Sequence, residues 1–187
     1  LLEAAHRVRN DLTTISSMIR LQKSRVNAEC REILETFEHR LTVLVRVHQR
    51  LDISRGKISV DSNAFLENLI DDLRTSQVGI RDIMIETEIE SHMLSHRDSV
   101  ALGLIVNEAV TNAIKYAFNE DELGTIEVTF YREGKEAILI IKDDGHNTGT
   151  IQGSGLGTKL MRSMATQVSG ALDVEIDNGT RVTVRFP

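Results

Sequence analysis

Apolar residues mark out two kinds of territory along this chain. From Leu1 to Arg55 there is no glycine and no proline. Within that stretch Val8, Leu12, Ile15, Ile19 and Val26 recur at spacings of three and four, with Gln22 filling the missing step. Ile33 or Leu34, Phe37, Leu41, Leu44, His48 and Leu51 continue the rhythm. That period predicts two amphipathic helices with a narrow apolar seam. The break falls near Arg25 to Glu29, where Asn27 can cap the second helix. Two such helices cannot bury both seams alone, so a dimer forming a four-helix bundle is expected.

Beyond Ile53 to Ile58, which holds the first glycine, the texture alternates. Strands are predicted over Lys57–Val60, Ile83–Ile89, Thr125–Tyr131, Ala137–Lys142, Ala171–Ile176 and Arg181–Phe186. Helices are predicted over Ser62–Thr75, Arg97–Phe118 and Thr158–Val168. Glu133-Gly134 and Asn178-Gly179 read as hairpin turns. The fold class is therefore α+β: an antiparallel helical hairpin over residues 1–54, then a sandwich over residues 55–187 with a mixed sheet of about five strands covered on one face by three helices.

The chemistry concentrates in the second territory. In the run Asn107 to Ala117, Glu108, Asn112 and Lys115 are spaced i, i+4 and i+7, on one helical face. Leu102, Ile105, Val106, Ala109, Val110 and Ala113 form an apolar face. A carboxylate, an amide and an ammonium aligned this way suit a metal-bound polyphosphate. Alone, such a triple is more often a solvated face. Two further pieces follow it: the apolar strand ending Asp143-Asp144-Gly145, and the loop Gly153-Ser154-Gly155-Leu156-Gly157 leading into a helix. Each has a bland reading, as a strand-end turn or a flexible loop. In the first territory, His6 lies beside the seam with Arg9 and Asn10 three and four residues on. A neutral imidazole is a competent nucleophile near pH 7, and a phosphoryl group on it would find Arg9 as counter-charge and Asn10 as donor. His48 falls on the seam and is given no role.

Composition narrows the class without choosing a function. The 187 residues carry a formal net charge of -6 and 41% hydrophobic residues. Neither points to nucleic acid or an anionic membrane. Cys30 is alone, so no disulfide framework or thiolate cluster is expected. No apolar run approaches a membrane span of ~20 residues. The chain opens on Leu1 inside a helical pattern without an initiating methionine, which reads as an excised fragment of a longer protein, and a reducing, cytoplasmic compartment is expected.

The order of these motifs resembles the transmitter region of a sensor histidine kinase: a phospho-acceptor helical hairpin, then an ATPase domain of the GHKL superfamily, the gyrase, histidine kinase and MutL relatives with the Bergerat fold. The resemblance covers essentially the whole chain. His6-Arg7-Val8-Arg9-Asn10-Asp11-Leu12 is similar to the phospho-acceptor motif of a subgroup related to HWE kinases. A strict HWE kinase is excluded, because Asn107 replaces the expected histidine and the chain has no tryptophan. The resemblance implies autophosphorylation of His6 from Mg-ATP, then transfer to an aspartate of a response-regulator receiver domain. It implies Glu108 as a general base, Asn112 as the Mg²⁺ ligand, Lys115 on phosphate, Tyr116 lining the nucleotide pocket and Asp143 on the adenine amino group. It also implies Gly145 for close backbone approach to the base, Gly153, Gly155, Leu156 and Gly157 around the phosphates, and Thr180 near the adenine. The implied partners are a second copy of the chain and the regulator, with no nucleic acid and no membrane contact by this segment.

Departures are also present. Asn147 replaces the second glycine of the usual Asp-x-Gly-x-Gly, the segment between the glycine motifs is short, and Arg7 stands where many relatives carry an acid after the histidine. Any acid assisting His6 then comes from elsewhere, with Glu108 or Asp11 as candidates. Two rivals follow: a phosphatase or phosphotransfer adaptor that barely uses ATP, and a serine kinase of the anti-sigma type, for which the helical hairpin would be superfluous.

Overall fold

A computed structural model describes residues 2–49, 59–78, 81–119, 121–146 and 155–187. The expected domain boundary at residues 54 and 55 and the Ile53–Lys57 linker lie outside the described residues, as do Gly153 and Asn147.

The two seam patterns fold as helices α1 (Leu2–Lys23) and α2 (Ala28–Gln49), joined by a tight turn. Asn27 caps α2 as expected, its side-chain oxygen accepting from the Cys30 N–H at 2.9 Å. The helices run antiparallel, with Arg20 and Lys23 of α1 meeting Glu35 and Glu38 of α2. The α1 side of the hairpin stays partly open: Ile15, Met18 and Leu21 are exposed. That leaves an apolar face of the kind a second hairpin would cover.

Next come β1 (Ser59–Asp61), α3 (Ser62–Leu73), β2 (Ile83–Ile89), β3 (Met93–Ser95), α4 (His96–Asn112), β4 (Gly124–Glu133), β5 (Glu136–Asp143), α5 (Leu156–Gln167), β6 (Ala171–Ile176) and β7 (Thr180–Phe186). The main sheet has the order β2-β4-β5-β7-β6. Only β2 and β4 run parallel, since α4 crosses between them; the other pairs are antiparallel. Asp61 and Ser95 cap α3 and α4 through their side-chain oxygens. The core lies between the sheet and the three helices, with Phe130, Ile126, Leu139 and Val184 of the strands meeting Ile105, Leu102, Leu66 and Met161 of the helices. The outer face alternates toward solvent, as an antiparallel-rich sheet allows.

Three features depart from the sequence pattern. β3, three residues long, pairs with β1 in a two-stranded ribbon and carries too few residues to show a period. The final turns of the expected helices widen to π geometry at Arg74–Val78 and Ala113–Ala117. The third departure is a second apolar stripe on α2. Val43 and Val47 are fully buried, although the expected seam ran through Leu41 and Leu44. This stripe seats the hairpin on the sandwich. Gly103 of α4 makes room for it: a Cβ there would lie 2.7 Å from both Val43 Cγ1 and Phe65 Cζ. Among the described residues, no helix is long and apolar enough to cross a membrane.

Candidate functional site

The site grows from the C-terminal end of α4. Its apolar face, Leu102, Ile105, Val106, Ala109, Val110 and Ala113, is wholly buried as expected. That anchoring turns Glu108 and Asn112 toward Gly157 in the first turn of α5. The π turn shifts Lys115, yet it still lines one cavity with Glu108 and Asn112.

A cleft of about 220 Å³ opens between α4, the end of β5, the start of α5 and the start of β7. Asn112, Tyr116, Asp143, Gly155, Leu156, Gly157 and Thr180 line it, joined by Ala113, Ala117 and Thr158. Sequence reasoning had not assigned the last three to a site. Ala113 and Ala117 belong to the apolar period of the helix, and small residues at those steps are the signal that leaves space. Thr158, in the first turn of α5, carried no signal of its own.

Asp143 ends β5 and is 5% exposed. One carboxylate oxygen, Oδ1, accepts from the Gly145 N–H at 3.1 Å and the Thr180 N–H at 3.2 Å. Burial pushes its carboxyl above the usual range, while these backbone donors and the Thr180 hydroxyl oppose the rise. Two glycines allow this packing. A Cβ at Gly145 would lie 2.3 Å from the backbone oxygen of Ala117. Gly179 has φ +121° and presses against the backbone of Asp143. Gly145→Ala therefore forces β5 away from the end of α4. It is expected to cost about 1–3 kcal/mol of stability and to weaken ligand binding in the cleft, both readable by thermal denaturation with and without nucleotide.

The sign of the pH response follows from the raised pKa. Asp143 binds its proton more readily folded than unfolded, so its contribution to stability grows as pH falls through its folded pKa toward the ordinary carboxylate range. Binding of a donor-bearing ligand should move the other way, because protonation removes an acceptor. Titrations between neutral and mildly acidic pH are expected to show affinity falling on acidification.

A second cavity of about 370 Å³ lies beside the cleft and shares Asn112, Tyr116, Leu156 and Gly157 with it. Its far wall is α2, through Glu32, Phe37, His39 and Arg40. Gly157 packs so closely on α4 that a Cβ would meet Glu108 Oε2 at 2.8 Å. Glu108 itself is held by Arg40, whose Nε and Nη2 donate to the two carboxylate oxygens at 2.8 and 2.9 Å. Lys115 Nζ stands 3.5 Å from Glu32 Oε1. His39 Nδ1 lies 3.3 Å from Gln77 Nε2, and burial pulls its pKa down, so its ring is neutral at pH 7. Arg40 is a further lining residue that sequence reading missed.

The structure therefore gathers Asn112, Tyr116, Asp143, Gly155, Leu156, Gly157 and Thr180 into one cleft, with Gly145 supporting it from behind. Glu108 and Lys115 lie in the adjoining cavity. His6 and Arg9 belong to α1, but their side chains lie outside the described residues. Asn10 is exposed on the same helix. No group of three or more candidate metal-binding acids, histidines or cysteines occurs among the described residues. Asn112 lines the cleft with a side-chain amide, an oxygen donor of the kind that hard divalent cations accept.

Comparison with known proteins places these parts. Residues 3–77 match the family described as "Histidine kinase". Residues 97–187 match "Histidine kinase-, DNA gyrase B-, and HSP90-like ATPase". Sensor histidine kinase PdtaS of Mycobacterium tuberculosis is 29% identical over 200 residues, covering 99% of this chain and 38% of that protein. Blue-light-activated histidine kinase 2 of Erythrobacter litoralis is 25% identical over 203 residues, covering 100% of this chain and 56% of its own length. The chain thus spans well under two thirds of these curated relatives. Among solved structures, the histidine kinase domain of the Erythrobacter litoralis EL346 blue-light activated kinase superposes with a TM-score of 0.73. It shares 19% identity and covers 94% of this chain and 95% of that one, a likeness of fold.

Proposed function

Since the chain belongs to the histidine kinases and joins a histidine kinase module to a GHKL-type ATPase domain, we propose that it transfers the γ-phosphoryl group of Mg-ATP to His6 and then to an aspartate of a receiver domain. The reading rests above all on Asp143. A buried carboxylate fixed by two backbone N–H groups at the wall of a cleft is a preorganised acceptor for an exocyclic amino group such as that of adenine.

With adenine against Asp143 and Thr180, the phosphates run past Asn112 toward the cavity holding Glu108 and Lys115. Asn112 would hold Mg²⁺, which supplies charge neutralisation of the triphosphate when bound. Lys115 contributes a cation, and Gly155 and Gly157 present backbone at the N-terminus of α5, where N–H groups and the helix dipole favour phosphate. Glu108 is the base that takes the imidazole proton as the ring attacks. Arg9 and Asn10 receive the phosphoryl group on α1. Catalysis comes mainly from positioning and electrostatics. A second copy covers the exposed apolar side chains Ile15 and Met18 of α1, and the receiver domain docks on the bundle near His6.

The adaptor reading keeps two supports, Asn10 four residues after His6, where an amide can orient a hydrolytic water, and Asn147 in place of the usual glycine. Calorimetric titration separates the two readings. Saturable Mg-ATP binding at millimolar or tighter affinity, lost with Asn112→Ala, is expected of the kinase. No detectable binding would favour the adaptor.

A further inference from the structure

We infer that Arg81 is a positioning residue for the nucleotide site: its guanidinium holds the π turn over Ala113–Ala117 in the shape that presents Tyr116 and Lys115, and affinity in the cleft depends on it. The inference rests on the nucleotide reading proposed above.

A helix end leaves carbonyls without partners inside the helix, and α4 ends where the site is. The wide turn over Ala113–Ala117 stops at Phe118, whose backbone is extended. The next bond of that wide pitch would run from the Asn119 N–H to the Ile114 carbonyl. Asn119 donates to Glu122 Oε2 instead, at 2.9 Å. Arg81 supplies the missing donor. Its Nη1 donates to the Ile114 carbonyl, and its Nη2 donates to the carbonyls of Phe118 and Asn119 at 2.9 and 3.1 Å. A cation at a helix C-terminus is favoured by the dipole. The planar fork of the guanidinium lets one side chain bridge three acceptors, which an ammonium does not match.

Arg81 is itself fixed. It lies between α3 and β2, is half-buried, and its N–H donates to the Val78 carbonyl at 3.1 Å. The carbonyl of Asp82, the next residue, accepts from the Gly124 N–H at 3.1 Å, where β4 starts. Ile114 and Gly124, on either side of the passage from α4 into β4, therefore hang on two adjacent residues. Between them Phe118 is buried, and a Cβ at Gly124 would overlap its ring.

What this arrangement holds is a wall of the cleft. Ala113, Tyr116 and Ala117 line the cleft, and Lys115 lines the adjoining cavity. Arg81 grips the backbone at Ile114, inside the turn, and at Phe118, just past it. Ala117 lies between those points. Its backbone oxygen presses on Gly145, whose N–H donates to Asp143 Oδ1 at 3.1 Å. Arg81 lines neither cavity, so it acts through the turn. Without it the turn is free to tighten toward regular helical pitch, which rotates Tyr116 and Lys115 about the helix axis and draws Ala117 away from Gly145.

The test uses the full chain, labelled for NMR on the rings of its two tyrosines, Tyr116 and Tyr131, with Tyr116→Phe to assign the signals. Arg81→Ala is expected to shift or broaden the Tyr116 signal and to leave that of Tyr131, in β4, in place. Affinities for Mg-ATP and Mg-ADP should both fall by about tenfold, and millimolar guanidinium chloride should restore part of the loss. Arg81→Lys keeps the charge without the fork. It should fall between the two, and it carries the same readouts if Arg81→Ala fails to fold. Arg74→Ala is the control for general loosening. Arg74 donates to the Ile85 carbonyl and lines neither cavity, so this variant should melt at a lower temperature and bind nucleotide as the parent does. Parental affinity and an unmoved Tyr116 signal in the Arg81 variants would overturn the proposal. So would equal losses of affinity in Arg81→Ala and Arg74→Ala. If the parent chain binds neither nucleotide, the nucleotide reading fails instead, and the Tyr116 signal alone decides whether Arg81 sets the turn.

Discussion

His6→Gln is expected to reduce incorporation of phosphoryl groups from labelled Mg-ATP to background while leaving nucleotide affinity unchanged. A carboxamide nitrogen has no available lone pair, so the acceptor disappears without a change of size or helical register. The cleft is built by α4, β5, α5 and β7, none of which carries His6, so binding has no reason to follow. Native labelling in His6→Gln would show that another side chain accepts the group, and reduced affinity would show that α1 contributes to the cleft.

Asp143→Asn is expected to weaken adenine nucleotide binding by roughly 100-fold while leaving the fold as stable or more so. The two outcomes separate because the amide oxygen can keep the bonds from the Gly145 and Thr180 N–H groups. The amide NH₂ then replaces the other carboxylate oxygen and turns a donor toward the adenine amino group. Losing a charge-assisted bond and opposing two donors costs about 3 kcal/mol. Stability gains because burial already penalises the charged form of Asp143. Calorimetry with ATP and with ADP should show the same loss, since the change is at the base. A loss confined to ATP would place Asp143 near the phosphates and refute this orientation of the nucleotide.

Much of this was legible in the chain because the signals are local. Asn27 caps α2 through a side chain three residues from its donor. Glu108 and Asn112 lie on one face because four residues nearly complete a helical turn. Asp143-Asp144-Gly145 marks a strand end, and the structure uses all three: the carboxylate in the cleft, Asp144 Oδ1 accepting from the Thr125 N–H, and the glycine against Ala117.

What was hidden is long-range or double-valued. α2 is apolar on two sides, and its period could not tell the half-buried seam through Leu41 and Leu44 from the seat through Val43 and Val47. Arg40 carries no signal of its own in the sequence, because its partner lies 68 residues away. The π turn over Ala113–Ala117 carries the same residues a regular helix would, so spacing alone placed Lys115 on the α-helical face. Gly103 carries no signal in the sequence, and its purpose appears only when Val43 of α2 and Phe65 of α3 pack against it.

The chemical nature of the phosphoryl group that the chain acquires gives the most direct measurement. After incubation with γ-labelled Mg-ATP, the label should be lost in acid, survive alkali, and map to the peptide carrying His6. Label that survives acid, or that maps to a serine or threonine, would contradict transfer to the imidazole.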